Sequence, residues 1–147
     1  MFTGIIENIG KITLIEEVND NYVIKIEVIN LSMNISNGDS VAINGACLTV
    51  TNVEENIFSF DLSPETMKLT SFKSLIKNDL VNIEFPLTLN KFISGHITTG
   101  HIDTIGVIEK LLKNADSWFI QIKIDKMYLK YMVHKGSICI DGISLTI

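Results

Sequence analysis

Residues 3–12, TGIIENIGKI, recur as TGHIDTIGVI at residues 99–108, with six of the ten positions identical. Residues 39–50, DSVAINGACLTV, recur later in the same order as GSICIDGISLTI at residues 136–147. The first pair is offset by 96 residues and the second by 97. Two segments repeated in one order at nearly one period indicate a duplicated structural unit. We therefore predict two repeats, residues 1–97 and residues 98–147, the second incomplete because its last residue matches Val50.

Both repeats carry patterns typical of β-strands. Ile24, Ile26 and Val28 alternate with Lys25 and Glu27, which is the period-2 pattern of a half-buried strand. Similar alternation occurs at residues 41–43, 48–51, 58–62, 81–85 and 118–124. Turn residues separate these runs, and short helical turns are predicted at residues 64–69 and 126–132. Because closure removes exposed sheet edges, many short strands favour an all-β fold of small barrels with Greek-key connections.

Composition argues against several classes of protein. Hydrophobic residues make up 46% of the chain and charged residues 20%, as in a soluble globular protein. The apolar runs are too short to span a bilayer, and charges near the start interrupt any signal peptide, so we expect a cytoplasmic protein without a membrane partner. The net charge is −5 and all twelve basic residues are Lys. Because Arg is the usual reader of phosphate and guanine, we expect no nucleic-acid partner.

The chain has two cysteines, Cys47 and Cys139. Two are too few for a disulfide framework, and their spacing matches no metal-binding motif. We therefore expect two reduced thiols and no metal.

Four motifs, in order and spacing, resemble the riboflavin synthase family in its form with two lumazine-binding barrels. They are MFTGIIE at residues 1–7, NGACLTV at residues 44–50, SGHITTGHID at residues 94–103, and residues 135–147 with KGS and IDGISLTI. The resemblance covers all 147 residues and implies two tandem six-stranded Greek-key barrels, the second truncated.

The resemblance also implies an activity. The family's enzymes are transferases that move a four-carbon unit between two molecules of 6,7-dimethyl-8-ribityllumazine. The products are riboflavin and 5-amino-6-(D-ribitylamino)uracil, in the final step of riboflavin biosynthesis. The resemblance further implies a homotrimer with active sites between the first barrel of one subunit and the second barrel of a neighbour. It implies no metal or organic cofactor, and a small-molecule substrate as the partner.

The histidines differ in their support. His101 occupies the position that Ile5 has in the first repeat, so the repeats differ chemically at one structural position. Imidazole transfers protons near neutral pH, which suits removal of the acidic proton from the lumazine C7 methyl group. The resemblance points to His101 as catalytic. His96 and His134 lack such support and are interpreted as structural or exposed.

Cys47 and Ser144 stand at equivalent positions, each followed by Leu-Thr. The reaction needs a nucleophile that adds at C7 of one lumazine, and a thiol, a hydroxyl and a bound water are all candidates. The resemblance points to Cys47 in the first barrel and to Ser144 in the second as catalytic residues. The sequence shows no basic neighbour for either side chain.

The resemblance implies a larger set of substrate-binding residues. Glycine lets a backbone approach a ligand closely, and the hydroxyl and carboxylate groups of residues 61–66 match a polyol such as the ribityl chain. In the first repeat the set comprises Gly4, Ile5, Ile6, Ser40, Ala46, Cys47, Leu48, Thr49, Asp61, Leu62, Ser63, Pro64, Glu65 and Thr66. In the second it comprises Gly100, His101, Ile102, Lys135, Ser144, Leu145 and Thr146. The second-repeat copy of residues 61–66 falls outside the 147 residues.

Ordinary structural roles remain open for several of these residues. A turn before a strand explains Gly4, an exposed turn explains Lys135, and β propensity explains Thr49 and Thr146.

Two other functions also remain open. A binding module would hold a lumazine or flavin without turnover, and such relatives tend to lose the catalytic histidine and serine of the second repeat. A flavin-binding barrel of an oxidoreductase would predict an Arg-bearing phosphate motif, which this sequence lacks.

Overall fold

The computed structural model of the protein describes residues 1–31 and 33–147. Within them the chain forms one short α-helix, α1 (Pro64–Leu69), two 3₁₀ helices (Ser71–Ser74 and Lys126–Tyr131) and ten strands. The strands are β1 (Asn8–Val18), β2 (Asn21–Val28), β3 (Ser40–Ile43), β4 (Ala46–Glu54), β5 (Ile57–Leu62), β6 (Leu80–Glu84), β7 (Val107–Asn114), β8 (Ser117–Lys123), β9 (Ser137–Ile140) and β10 (Ile143–Thr146).

The first six strands close into one antiparallel barrel in the order β1-β2-β5-β4-β3-β6. Strands β3, β4 and β5 are consecutive neighbours and β6 returns beside β3, which is the Greek-key arrangement. The register sets Ile26 opposite Ile12 and Ile24 opposite Phe60, so apolar side chains from neighbouring strands meet inside. The six-stranded Greek-key barrel is therefore confirmed for the first repeat.

The alternating sequence pattern builds the core of this barrel. Ile24, Ile26 and Val28 are buried, whereas Lys25 and Glu27 between them are only half-buried. Complete burial of such a side chain contributes roughly 1.5–3 kcal/mol. The buried hydrophobic cluster comprises Ile12, Ile24, Ile26, Val28, Ile35, Val41, Ile43, Ala46, Leu48, Val50, Phe58, Phe60, Leu62, Phe72, Val81, Ile83 and Phe85.

The second repeat, predicted as a truncated barrel, forms two separate hairpins, β7–β8 and β9–β10. In the first barrel, β5 joins β2 to β4 and β6 joins β1 to β3. The counterparts of those two joining strands would follow residue 147, so the hairpins lack the strands that would link them. The side chains that would face the interior of a closed barrel are consequently exposed to solvent. Trp118, for example, is 58% exposed.

The two repeats nevertheless share local detail. The β1–β2 ladder shifts register between Ile12 and Leu14, and the β7–β8 ladder shifts between Ile108 and Lys110. These bulges are 96 residues apart, at the offset of the sequence repeat. Bulges are designed features that bend and twist a strand, so a shared bulge indicates that the two hairpins are copies of one unit.

An approximate twofold axis relates the repeats where they meet. Phe2 and Thr98 are equivalent positions, and they pair with one another through two backbone hydrogen bonds of 2.9 and 3.0 Å. A residue that pairs with its own counterpart marks a twofold contact. The turns of β3–β4 and β9–β10 also meet, since a Cβ on Gly45 would lie 2.8 Å from the Gly142 nitrogen. The pairing brings the start of each repeat against a hairpin of the other.

Both predicted helical turns are confirmed. Ser63 caps α1 by accepting a hydrogen bond from the Thr66 amide over 3.1 Å, and Pro64 occupies the first turn, where its missing N–H costs nothing. The second turn is the 3₁₀ helix Lys126–Tyr131, capped by Asp125. In the described part of the chain no helix is long and apolar enough to cross a membrane.

Candidate active site between the repeats

The first crossing loop, residues 2–6, contacts strand β10 of the second repeat. The Ser144 amide donates a hydrogen bond to the Gly4 carbonyl over 2.7 Å. Gly4 has a φ of +74°, and a Cβ there would lie 2.8 Å from both the nitrogen and the Cβ of Ser144. Only glycine combines this left-handed backbone with so close an approach. The loop therefore fixes the backbone of a predicted catalytic residue.

The second crossing loop, residues 98–102, makes the equivalent contact with β4 of the first barrel. The Cys47 amide donates to the Gly100 carbonyl over 2.8 Å. Gly100 has a φ of +84°, and a Cβ there would lie 3.0 Å from the Cys47 nitrogen and closer still to the Cys47 Cβ. The backbone amide of each predicted nucleophile thus donates a hydrogen bond to the loop of the opposite repeat.

Ser144 has a histidine partner that the sequence did not indicate. Its hydroxyl lies 2.7 Å from the Nδ1 atom of His96, which is half-buried. The His96 amide donates to the Thr3 carbonyl over 3.0 Å. In the tautomer that carries its proton on Nε2, Nδ1 of His96 accepts a hydrogen bond from the Ser144 hydroxyl. The interpretation of His96 as structural or exposed did not indicate this neighbour of Ser144.

His101 lies on a cavity of about 590 Å³ between the first barrel and the hairpins of the second repeat. Its side chain is exposed, whereas Ile102 beside it packs against the core of the first barrel. Ile102 thus anchors the second crossing loop and leaves His101 open to a ligand. His96 also lines this cavity, and the predicted binding residues that line it are Ala46, Gly100, His101 and Ile102.

The remaining predicted residues of the first repeat lie on the barrel and on α1. Ser40 pairs with Thr49 across β3–β4, and the Ser63 and Thr66 hydroxyls lie 3.0 Å apart at the start of α1. The side chains of Leu48 and Leu62 are buried in the core. Asp61, Pro64 and Glu65 are exposed, as is Ile5, whereas Ile6 is half-buried. None of these described residues lines the 590 Å³ cavity.

The remaining predicted residues of the second repeat lie on or beside β9–β10. Lys135 is exposed, and its amide donates to the Ile147 carbonyl over 2.8 Å. Leu145 pairs with Ile138, and Thr146 pairs with Ser137. Ser144 is the member of this group that the structure joins directly to a histidine.

Glu84 departs from the alternation of β6, which predicts that it points outward. It is 1% exposed, and its carboxylate accepts three hydrogen bonds. The Thr3 amide and hydroxyl donate to Oε1 over 2.6 and 2.7 Å, and the Gly4 amide donates to Oε2 over 2.9 Å. A buried charge persists only when such donors replace water. Glu84 is therefore tied to the first crossing loop.

Burial raises the pKa of two groups in the β9–β10 hairpin. Cys139 faces Ser144 across β9–β10, and burial raises the pKa of its thiol, with a smaller contribution from the negative charges of Glu84 and Asp141. Partial burial of the Asp141 carboxyl also raises its pKa, although the residue as a whole is exposed. Both groups therefore favour their neutral forms relative to water. Within residues 1–31 and 33–147, no three His, Cys, Asp or Glu side chains gather as metal ligands would.

Comparison with known proteins agrees with the duplicated architecture. The family model of the lumazine binding domain matches residues 3–86 and again residues 99–147. The riboflavin synthase of Actinobacillus pleuropneumoniae is 42% identical over the whole of this chain, which spans 68% of that protein's length. The chain belongs to the riboflavin synthase family.

Other members of the riboflavin synthase family match in the same way. The riboflavin synthase of Bacillus subtilis is 38% identical over the whole chain, which spans 68% of its length. That of Escherichia coli is also 38% identical, and the chain spans 70% of it.

Solved structures share the fold of this family member. The crystal structure of LumP complexed with riboflavin superposes with a TM-score of 0.89 over all of this chain and 80% of LumP. LumP complexed with 6,7-dimethyl-8-(1'-D-ribityl) lumazine superposes with a TM-score of 0.86 over 79% of LumP. Both are 24% identical to this chain, so the likeness concerns the fold alone.

Repeat comparison could not reveal His96 and Glu84. At an offset of 96 residues, the counterpart of His96 would precede Met1, and the counterpart of Glu84 would follow Ile147. Neither position has a second copy against which a chemical difference could be noticed. The sequence carries no signal for the burial of Glu84, because Glu84 falls on the outward side of the alternation Val81-Asn82-Ile83-Glu84-Phe85.

Proposed function

We propose that this chain is a riboflavin synthase that dismutates two molecules of 6,7-dimethyl-8-ribityllumazine. One lumazine gives up a four-carbon unit and leaves as 5-amino-6-(D-ribitylamino)uracil, while the other gains that unit and becomes riboflavin. The observation that carries the proposal is the hydroxyl–imidazole pair of Ser144 and His96, 2.7 Å apart at the junction of the repeats. Membership of the riboflavin synthase family supports the choice of substrate.

Ser144 is the proposed nucleophile that adds at C7 of one lumazine. As its oxygen forms the new bond, the hydroxyl proton passes to Nδ1 of His96, because the two atoms are within proton-transfer distance. The Gly4 carbonyl holds the Ser144 amide, so the hydroxyl is presented from a fixed backbone. Cys47 is proposed to act at the equivalent place in the first repeat, where Gly100 holds its amide.

His101 is the proposed acceptor of the proton from the C7 methyl group. Its imidazole is exposed on the cavity wall, and histidine is the side chain that most often transfers protons in enzymes. Loss of that proton leaves a carbanion that can attack the second lumazine. The neighbouring Ile102, packed on the barrel core, keeps the second crossing loop in place during the step.

We propose that the other predicted residues bind the two substrates. The pteridine rings would lie against the crossing loops, at Gly4, Ile5, Ile6 and Gly100, and against the strand residues near Cys47 and Ser144. The ribityl hydroxyls would meet the polar segment Asp61–Thr66, whose Ser63 and Thr66 hydroxyls already pair. Lys135 is exposed and could reach a ligand of an adjacent subunit.

We also propose that the first repeat ends at residue 97, which the sequence duplication supports. We propose that the chain forms a homotrimer, which the resemblance to the family supports, and that it is located in the cytoplasm.

The proposal is tested by steady-state turnover of the lumazine, followed by riboflavin fluorescence. Ser144→Ala, His96→Gln and His101→Ala should each lower kcat by about 10²-fold or more, the usual contribution of a positioned acid or base. His134→Gln is the matched control, because His134 is exposed and should leave kcat near that of wild type.

Retention of wild-type kcat by either His101→Ala or Ser144→Ala would contradict the assigned roles. Tight binding of lumazine by the wild-type chain without any riboflavin would instead support a binding module.

A further inference from the structure

The buried carboxylate of Glu84 is connected to both members of the Ser144–His96 pair. It receives the Thr3 amide, the Thr3 hydroxyl and the Gly4 amide over 2.6, 2.7 and 2.9 Å. These donors use both carboxylate oxygens, and the side chain is 1% exposed. Bonds between neutral donors and a buried charge are among the stronger hydrogen bonds in proteins.

The same two loop residues hold the serine and the histidine from their other side. The Thr3 carbonyl accepts the His96 amide over 3.0 Å, and the Gly4 carbonyl accepts the Ser144 amide over 2.7 Å. Thr3 and Gly4 therefore donate hydrogen bonds to Glu84, while their carbonyl groups accept hydrogen bonds from the amides of His96 and Ser144. A shift of either peptide plane would move His96, Ser144 or both.

The space around this junction is too small for the loop to relax. A Cβ on Gly95, the residue before His96, would collide with the Thr3 carbonyl oxygen and would lie 2.9 Å from the Ser144 Cβ. Close-packed groups transmit displacement rather than absorb it. A change at Glu84 should therefore reach the hydroxyl–imidazole distance.

We propose that Glu84 is a positioning residue that sets the geometry of the Ser144–His96 pair through Thr3 and Gly4. The expected effect of Glu84 on kcat rests on the proposed function. The effect of Glu84 on the placement of Ser144 and His96 does not depend on that function. A carboxylate suits this place because it accepts at both oxygens, whereas an amide of the same shape has one oxygen and turns N–H donors toward a donor. Glu84 touches neither substrate nor reacting atoms in this account.

The test uses Glu84→Gln in the full chain. Its matched control is Glu27→Gln, since Glu27 is a half-buried carboxylate on β2 with one long 3.5 Å hydrogen bond from Asn56. The first readout is hydrogen exchange at the amides of His96 and Ser144. The amide of Val28, which bonds the Asn56 carbonyl over 2.8 Å within the barrel, reports whether the barrel itself has loosened.

In Glu84→Gln, exchange at His96 and Ser144 should accelerate about tenfold or more, as expected when a charged hydrogen bond is lost. Exchange at Val28 should change much less. The kcat for lumazine should fall by about tenfold or more while KM changes little, because the substrate-contacting groups remain. Glu27→Gln should leave all of these readouts near wild type.

If Glu84→Gln does not fold, Thr3→Val and Thr3→Ser decide the question. Thr3→Val removes one of the three donors and should accelerate exchange at His96 and Ser144 and lower kcat, and Thr3→Ser should restore both. Unchanged exchange at His96 and Ser144 in Glu84→Gln, or an equal rise at Val28, would overturn the proposal. So would a Thr3→Val variant whose exchange and kcat match wild type.

Failure of the proposed function has a different signature. It appears as a wild-type chain that makes no riboflavin, and the exchange comparison then still decides whether Glu84 positions the pair.

Discussion

Substitution of Gly100 by alanine is expected to separate the repeats without dismantling the barrel. Gly100 has a φ of +84°, where a side chain costs roughly 1–2 kcal/mol. The new Cβ would lie 3.0 Å from the Cys47 nitrogen and closer to the Cys47 Cβ, and such overpacking costs about 1–3 kcal/mol. Relief of the clash would break the 2.8 Å bond from Cys47 to Gly100, worth about 0.5–1.5 kcal/mol. These terms together give about 2.5–6.5 kcal/mol.

Gly38→Ala is the matched control for the backbone term. Gly38 has a φ of +93°, and a Cβ there would meet nothing within 4 Å. It should therefore lose only the roughly 1–2 kcal/mol of the left-handed conformation. The excess loss in Gly100→Ala measures the close approach of the second crossing loop to Cys47.

The assay is urea unfolding followed by two signals. The single tryptophan, Trp118, lies in the second repeat, so its fluorescence reports that repeat, while circular dichroism reports the whole chain. Gly100→Ala should lower the midpoint of the tryptophan transition more than Gly38→Ala does, and should lower riboflavin formation because His101 follows in the same loop. Equal destabilisation by the two alanines would refute the reasoning about the crossing loops.

Three further predictions concern the Asp141 carboxyl, the Cys139 thiol and the hydrophobic core of the first barrel. The raised pKa of Asp141 means that its charged form is disfavoured in the folded state, so its contribution to stability is lost as pH rises through the folded pKa. Asp141→Asn should therefore raise Tm at pH 7, but only slightly, because Asp141 is exposed and solvent screens its charge. The gain should shrink toward pH 3.8, the ordinary value. A gain that grows as pH falls would contradict this. The pKa of the Cys139 thiol, ordinarily 9.0, is raised, so iodoacetamide should alkylate Cys139 slowly at pH 8. Mass spectrometry of a Cys47→Ser variant would measure this rate. Alkylation as fast as that of free cysteine would count against the prediction. Phe60→Ala should lower the free energy of unfolding, measured in urea, by about 3–5 kcal/mol because Phe60 is fully buried. Phe92→Ala, at an 89% exposed position, should change it by no more than about 0.5 kcal/mol. Equal losses in the two variants would show that the core is misassigned.

Periodicity was sufficient to predict most of the first barrel. The alternation around Ile24 and Ile26 and around Phe58 and Phe60 gave the strands and their buried faces, because each strand has one side in the core. It failed at Glu84, where three donors from the first crossing loop outweigh the cost of burying a charge. Alternation indicates which face of a strand packs inside its own barrel. It cannot indicate that a loop from elsewhere in the chain covers the end of that strand.

The candidate site was only partly predictable. The duplication singled out Cys47, Ser144 and His101 because each can be compared with a second copy. The resemblance to the family implied a joint site between barrels of neighbouring subunits, but not the bonds from the Ser144 amide to Gly4 and from the Cys47 amide to Gly100. Such contacts depend on the relative placement of two repeats, which no local pattern in the sequence specifies.

The second repeat follows the predicted truncated copy of the first barrel. The first barrel is closed by β5 and β6, whose counterparts would follow residue 147. Without them the pattern of Trp118, Ile120 and Ile122 produces a hairpin with an open face rather than a core.

The most direct test of the central claim is the stoichiometry of the wild-type reaction. The purified chain would be incubated with 6,7-dimethyl-8-ribityllumazine, and chromatography would quantify the lumazine consumed, the riboflavin and the ribitylamino-uracil formed. We expect two lumazines to be consumed for each riboflavin formed, with one ribitylamino-uracil released beside it. Lumazine that binds but is recovered unchanged by a folded chain would contradict the claim.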